Sequence, residues 1–212
     1  MKTEIYLIRH GQSTSNLTRI FTGQVDADLT ELGKAQARAT AEFLKDKKIE
    51  AVYSSCLKRA YETAEPIAEN IGLRVIPIKE LNEHFFGSWG SMSYDEVKEK
   101  YPLEYDAFKN DIGIFKAPEG ESSEDVRKRV SFAAEKIIKE NEGKKIAIAT
   151  HGIVIKSLLT FWQNKPITEM KNEPVVTNGS VTIVEYENGE YRIVLKGADE
   201  HLKELKTDAP KL

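Results

Sequence analysis

The sequence has one cysteine, Cys56, in 212 residues. A lone cysteine excludes an intramolecular disulfide and fits a reducing, cytoplasmic setting, where it is expected to be a small buried hydrophobe. Long apolar runs are lacking too. No stretch approaches the roughly 20 apolar residues that a membrane span needs. Lys2-Thr3-Glu4 precedes only a short apolar run, so no secretory leader is read at the N-terminus. An excess of either charge is missing: 31 Lys and Arg against 34 Asp and Glu leave a formal −3. With no basic stripe, neither a nucleic-acid nor a membrane partner is expected. Internal repeats and low-complexity segments are absent. What is present, 40% hydrophobic and 31% charged residues, suits one globular domain over residues 1–212, large enough to bury most of its apolar surface. The oligomeric state, monomer or homo-oligomer, stays open.

One succession recurs along the chain: a short apolar strand, a loop, then a helix. Strands are expected over residues 3–8, 51–54, 74–78 and 146–150. Thr30 caps a helix to about residue 46, with Leu32, Ala35, Ala39 and Phe43 at helical spacing. Further helices are expected over residues 57–71, stopped by Gly72, and from the capping box Ser93-Tyr94-Asp95-Glu96 to before Pro102. Two more fall over residues 123–142, with Val126, Val130, Ala133 and Ile137 on one face, and over 153–162. Residues 108–121, with two glycines and a proline, read as a loop. Segments 181–186 and 191–195 flank Asn188-Gly189, a strong hairpin signal. The lysine-rich tail after His201 reads as a solvated end. Alternating strands and helices predict an α/β three-layer sandwich, a mostly parallel sheet with helices on both faces.

In such a sheet, ligands bind beyond the carboxyl ends of the strands. The first strand ends in Arg9-His10-Gly11, where a glycine lets the backbone turn close to a ligand. The second is followed by Arg59, the third by Glu83 and the fourth by His151. Each has a bland reading: a surface cation, a loop carboxylate, a capping residue. Parallel strands would gather all five at one edge, a harder coincidence. Two guanidiniums match a dianionic phosphoryl group. Two imidazoles allow one nucleophile and one hydrogen-bond donor, and a carboxylic acid protonates a leaving oxygen. The set spells phosphoryl transfer through a phosphohistidine.

At these residues the chain resembles the histidine phosphatase superfamily, the phosphoglycerate-mutase-like enzymes. Residues 9–16 (RHGQSTSN) look like the family's opening signature, continued by Phe21-Thr22-Gly23 and residues 28–33 (DLTELG). Residues 53–60 (YSSCLKRA), Phe86-Gly87-Ser88-Trp89-Gly90, residues 118–122 (PEGES) and Thr150-His151-Gly152 are similar to later motifs, and the likeness runs from residue 3 to about 195. The resemblance implies His10 as nucleophile, with Arg9, Arg59 and His151 on the phosphoryl oxygens and Glu83 as proton donor. It implies Asn16, Thr22 and Gly23 as contacts to substrate or phosphate. Gln12 and Ser13 would lie along the substrate loop, and the Gly152 N–H on phosphate. It also implies a lid insertion over about residues 84–122. No metal cofactor is implied, because the arginines supply the positive charge.

Cofactor-dependent mutases of this family carry a Glu-Arg-His-Tyr-Gly run and a longer insertion. Here residues 83–87 read EHFFG and the segment 90–122 is short, which favours a phosphatase over the alternative, a phosphoglycerate mutase. The C-terminal hairpin and His201 tail are similar to those of the family's small broad-specificity phosphatases, which favours organic phosphomonoesters. Phe85, Phe86, Trp89 and Tyr94 form either a wall around the leaving group or the core of the lid. His84 either recognises a carboxylate or faces water. Asp26-Ala27-Asp28-Leu29-Thr30 fits the pattern of magnesium-dependent haloacid-dehalogenase-like phosphatases, but no buried strand precedes it, and a turn with a helix cap is the plainer reading. A non-catalytic phosphate-binding module would have lost His10 or Glu83.

Overall fold

Thr3–Arg9 (β1), Ala51–Ser55 (β2), Val75–Ile78 (β3) and Lys145–Thr150 (β4) run parallel in the computed structural model, which describes residues 1–207. Val181–Glu187 (β5) joins β1 antiparallel, and Glu190–Ala198 (β6) pairs antiparallel with β5. The strand order is β3-β2-β4-β1-β5-β6, so the expected C-terminal hairpin extends the central sheet. β1 and β4 lie side by side in the middle, with Arg9 paired to Thr150 at their carboxyl ends.

Period-two alternation on β1 sends Ile5 and Leu7 to one face and Tyr6 and Ile8 to the other, and all four are buried. Tyr6 and Ile8 pack with Ala41, Leu44, Ala64 and Ile67 of Glu31–Leu44 (α2) and Lys58–Asn70 (α3). The short helix Thr14–Thr18 (α1) precedes these. Ile5 and Leu7 pack with Val126, Val130 and Ile155 of Ser123–Glu140 (α6) and Gly152–Trp162 (α7). Each fully buried branched side chain contributes roughly 1.5–3 kcal/mol. Helices on both faces explain why the strands read as continuous apolar runs.

Between β3 and α6 the chain leaves the sheet for Tyr94–Lys100 (α4) and Pro102–Asn110 (α5). Trp89, Phe108 and Phe115 are buried at the centre of this excursion, with Phe21 against them. Its two ends are stitched together. Ser88 N–H donates to Pro118 C=O, Glu121 N–H to Phe85 C=O, and Phe85 N–H to the Glu121 carboxylate, each at 2.9 Å. Gly87 sits at φ +50°, where a Cβ would meet the Pro118 carbonyl at 2.1 Å, so this neck requires glycine.

Four readings change. Pro102 opens α5 rather than only closing α4, since a first helical residue needs no N–H. Residues 108–121 are accordingly part helix: α5 runs to Asn110, and a 3-10 turn spans Ile112–Ile114. Cys56 is exposed, beyond the carboxyl end of β2, and not a buried hydrophobe. The tail is not a solvated end as far as it is described. Leu202 is buried and the His201 ring stacks on Phe43 of α2 at 4.7 Å. The remainder of that tail, residues 208–212, lies outside the described residues.

Candidate active site

The central strands deliver their polar residues to one edge. His10 follows β1 and His151 follows β4, and their rings stand 5.1 Å apart. Arg59 comes from the first turn of α3, and Glu83 from the loop after β3. A cavity of about 90 Å³ opens there, lined by Arg9, His10, Arg59 and Glu83 together with Asn16, Thr22, Gly23 and Gly152. Tyr94, Phe86 and Phe108 of the excursion close its far side.

His10 is buried, and its Nδ1 lies 2.7 Å from the Gly11 carbonyl. A carbonyl only accepts, so Nδ1 carries the proton and Nε2 keeps its lone pair. Burial, then Arg59 and Arg9, hold the His10 pKa well below the usual imidazole range, so the ring is neutral. His151 holds the same tautomer through a different contact. Ser55 Oγ accepts the Leu57 N–H at 3.2 Å and lies 2.7 Å from His151 Nε2. Nε2 is the acceptor that the Ser55 hydroxyl meets among the described residues, so its hydrogen goes there and the proton of His151 resides on Nδ1. That Nδ1 is buried with no hydrogen-bond partner in the protein. Burial, then Arg59 and His10, keep His151 neutral as well.

Both arginines are buried, and both are held by carbonyls. Arg9 Nη1 donates to Val176 C=O at 2.5 Å, and its Nε has no partner. Arg59 Nη2 and Nη1 donate to Gly23 and Val25 C=O at 2.7 and 3.1 Å. Burial brings the Arg9 pKa down to about 10 and moves Arg59 in the same direction. Neutral carbonyls satisfy hydrogen bonds without cancelling charge, so the cavity is electropositive and suited to a dianion. Glu83 is the carboxyl group on its wall. It accepts N–H bonds from His84 at 2.9 Å and Ile153 at 3.3 Å. Burial outweighs these bonds and Arg59, and raises its pKa.

Gln12 and Ser13 stand back from the cavity. Gln12 N–H donates to Gln36 and its side chain accepts from Thr30, while Ser13 caps α1 with Asn16. Gly11 approaches the first turn of α2, since a Cβ there would lie 2.4 Å from Gly33 O. His84 neither faces water nor reads a carboxylate. It is buried, stacked on Phe86 at 4.8 Å, with both ring nitrogens unpartnered and its pKa brought down to about 4 by burial. Among the aromatics, Phe86 and Tyr94 line the cavity, Trp89 is core, and Phe85 is 45% exposed. Asp26 accepts the Lys58 N–H at the start of α3, and Asp28 pairs with Lys58 Nζ at 2.5 Å.

Three residues of the site went unread in the sequence. Ser55 is the last residue of β2, so the strand-end rule that found the histidines reaches it once hydroxyls are counted. Asn178 donates to the His10 carbonyl at 2.9 Å and to Asn16 Oδ1 at 3.1 Å, from a loop with no local signal. Arg129, on α6, holds the loop that carries Glu83.

A sheet edge that concentrates positive charge around neutral imidazoles defines an enzyme of phosphoryl groups. Residues 5–199 match the histidine phosphatase superfamily (branch 1), and the chain belongs to it. It is 37% identical over 187 residues to a metal-independent phosphoserine phosphatase of Arabidopsis thaliana, covering 86% of this chain and 76% of that protein. It is 35% identical over 205 residues to phosphoglycerate mutase-like protein 4 of the same plant, covering 95% and 87%. Among solved structures, Bacillus stearothermophilus YhfR superposes with a TM-score of 0.91 at 30% identity, covering 95% of this chain and 100% of that one. A mycobacterial glucosyl-3-phosphoglycerate phosphatase gives 0.86 at 27% identity, covering 94% and 100%. With these relatives, the chain is a phosphoric monoester hydrolase of the histidine phosphatase type. Among the described residues, no helix is long and apolar enough to cross a membrane.

Proposed function

We propose that the chain hydrolyses small organic phosphomonoesters by way of a phosphohistidine on His10, without a metal, in the cytoplasm. The observation that carries this is the His10 tautomer: a neutral ring with its proton fixed on Nδ1 presents Nε2 to an electropositive cavity. Arg9, Arg59, the His151 Nδ1–H and the Gly152 N–H hold the three non-bridging oxygens. Asn16, Thr22 and Gly23 border the phosphoryl group, and Gln12 and Ser13 keep the loop in place behind them. Nε2 attacks phosphorus, the ester bond breaks, and Glu83, protonated, gives its proton to the departing alkoxide. Glu83, now a carboxylate, takes a proton from water, which attacks the phosphohistidine. Phosphate leaves, and His10 and Glu83 return to their starting states.

The excursion between β3 and α6 acts as the lid over the leaving group. Phosphoserine is a fitting first substrate to try, because a relative named for its hydrolysis aligns with most of the chain. The test is rapid quenching at alkaline pH followed by mass spectrometry. One acid-labile phosphoryl group on His10, released to water as inorganic phosphate, is the expected result. Transfer to 3-phosphoglycerate in place of water would turn the reading to a mutase. Labelling at another residue would sink it.

A further inference from the structure

We propose that Arg129 is a positioning residue for the acid: together with Glu121 it fixes the loop that holds Glu83 at the phosphoryl site. The inference rests on the reading of Glu83 as proton donor. Neither Arg129 nor Glu121 lines the cavity, so neither touches the substrate, and Arg129→Lys keeps the charge that Arg129 exerts on Glu83 and His151 through space while removing its hold on the loop. The chain from Glu80 to Phe85 has left β3, and its carbonyls have no strand partner. Side chains replace that partner: Thr150 Oγ1 donates to Leu81 C=O at 2.8 Å, Gln24 Nε2 to Glu83 C=O at 3.0 Å, and Arg129 holds three carbonyls at once. Arg129 Nη1 donates to Glu80 C=O at 2.6 Å and to Asn82 C=O at 2.7 Å, and Nη2 donates to Glu83 C=O at 3.0 Å.

The same guanidinium forks onto Glu121, Nε to Oε1 at 2.7 Å and Nη2 to Oε2 at 2.9 Å. Glu121 Oε2 in turn accepts the Phe85 N–H at 2.9 Å. The acid loop is therefore clasped on both sides of Glu83. Both side chains are about one-fifth exposed, 19% and 21%, so the fork is largely shielded from water. Burial pushes the Glu121 carboxyl up, but the Arg129 fork and the Phe85 N–H together outweigh it and hold the group below its usual range. A lysine in this place would keep the charge and lose the geometry. One ammonium has no planar fork with which to serve three carbonyls and a carboxylate.

Fixing the acid matters only where the leaving oxygen needs a proton. An alkoxide needs one in the transition state, whereas a nitrophenolate departs well without it. Arg129→Lys and Glu121→Gln should therefore mimic a weakened Glu83→Gln. Their kcat/KM on an alkyl phosphate should fall about tenfold, and far less on nitrophenyl phosphate. A role in stability alone would lower both substrates together, or would lower only the melting temperature.

The experiment measures kcat/KM for both substrates in wild type, Arg129→Lys, Glu121→Gln, Glu83→Gln and the Glu83→Gln/Arg129→Lys pair, each below its own melting temperature. A loss selective for the alkyl phosphate in both single clasp variants, with no further selective loss in the pair, supports the proposal. Equal losses on the two substrates in the clasp variants, with Glu83→Gln still selective, overturn the proposal and spare the reading of Glu83. If Glu83→Gln itself shows no selectivity, the reading of the acid falls and takes the proposal with it.

Discussion

The two ends of the cavity are built differently. At the end assigned to the phosphoryl group, His10 and His151 are successive to neighbouring strands, and Arg59 lies four residues after β2 closes. Backbone carbonyls of adjacent loops hold both arginines, and a hydroxyl on β2 orients His151. At the leaving-group end, Glu83 sits on a loop without strand pairing, steadied from α6, and faced by aromatics of the excursion. The phosphoryl end inherits its geometry from the sheet. The leaving-group end has to assemble its own. The first should tolerate little change in any substrate, and the second should show its importance only when the leaving group is poor.

His10→Ala is the most severe way to break that contrast. On the proposed reading it removes the nucleophile, and kcat should fall about a thousandfold or more on every phosphomonoester, good leaving group or bad. Steady-state rates on alkyl and nitrophenyl phosphates check it. A residue whose loss depended on the leaving group would not be the nucleophile. Glu83→Gln comes next. An alkyl phosphate should lose about 10²-fold, a nitrophenyl phosphate much less. The pH profile carries the same signature. His10 acts unprotonated, so kcat/KM falls as pH drops through its depressed pKa. Glu83 acts protonated, so kcat/KM falls as pH rises through its elevated pKa. In Glu83→Gln the basic limb should flatten while the acidic limb remains.

Ser55→Ala probes the indirect support of the phosphoryl end. It frees His151 to take the other tautomer, and kcat should fall about tenfold on both substrates, less than the 10²–10³ typical of losing a direct donor. A loss confined to alkyl phosphates would place Ser55 with the acid instead. Least of all should happen with a chelator. The arginines supply the positive charge that a metal supplies in other phosphoryl-transfer enzymes. Excess EDTA should then leave nitrophenyl phosphate hydrolysis unchanged, and recovery of a lost rate by Mg²⁺ would refute the metal-independent reading.

Legibility in the sequence follows the same division. Strands 3–8, 51–54 and 146–150 announce themselves as apolar runs because both sheet faces are covered, and the residues just beyond them carry the phosphoryl end. Local rules suffice to place His10, Arg59 and His151 at one edge of the sheet, where the structure brings them together. Arg129 was beyond them: it lies 46 residues from Glu83, on the polar side of an amphipathic helix, and looks like any solvated arginine until the loop is folded onto it. His84 misled for a related reason. A histidine between a glutamate and two phenylalanines looks chemical, whereas Phe86 and Phe115 enclose it. Cys56 departs from the usual burial of free cysteines because the chain has already left β2 there. The C-terminal turn is hidden by its lysines, with Leu202 alone among its described residues reaching the core.

The stitched neck at Phe85–Ser88 and Pro118–Glu121 has a meaning for descent with modification. Because the chain departs and returns within hydrogen-bond distance of itself, the intervening stretch behaves as a cassette. Its length and side chains can drift without displacing His10, His151 or the arginines, provided that Gly87, the paired carbonyls and the backbone bonds that tie it to residues 19–21 survive. New chemistries on an old scaffold commonly arise by such loop exchange. In this chain the exchangeable piece is bounded by a few residues, and grafting a relative's cassette across them should transplant that relative's choice of alcohol while the phosphate-handling half stays as it was.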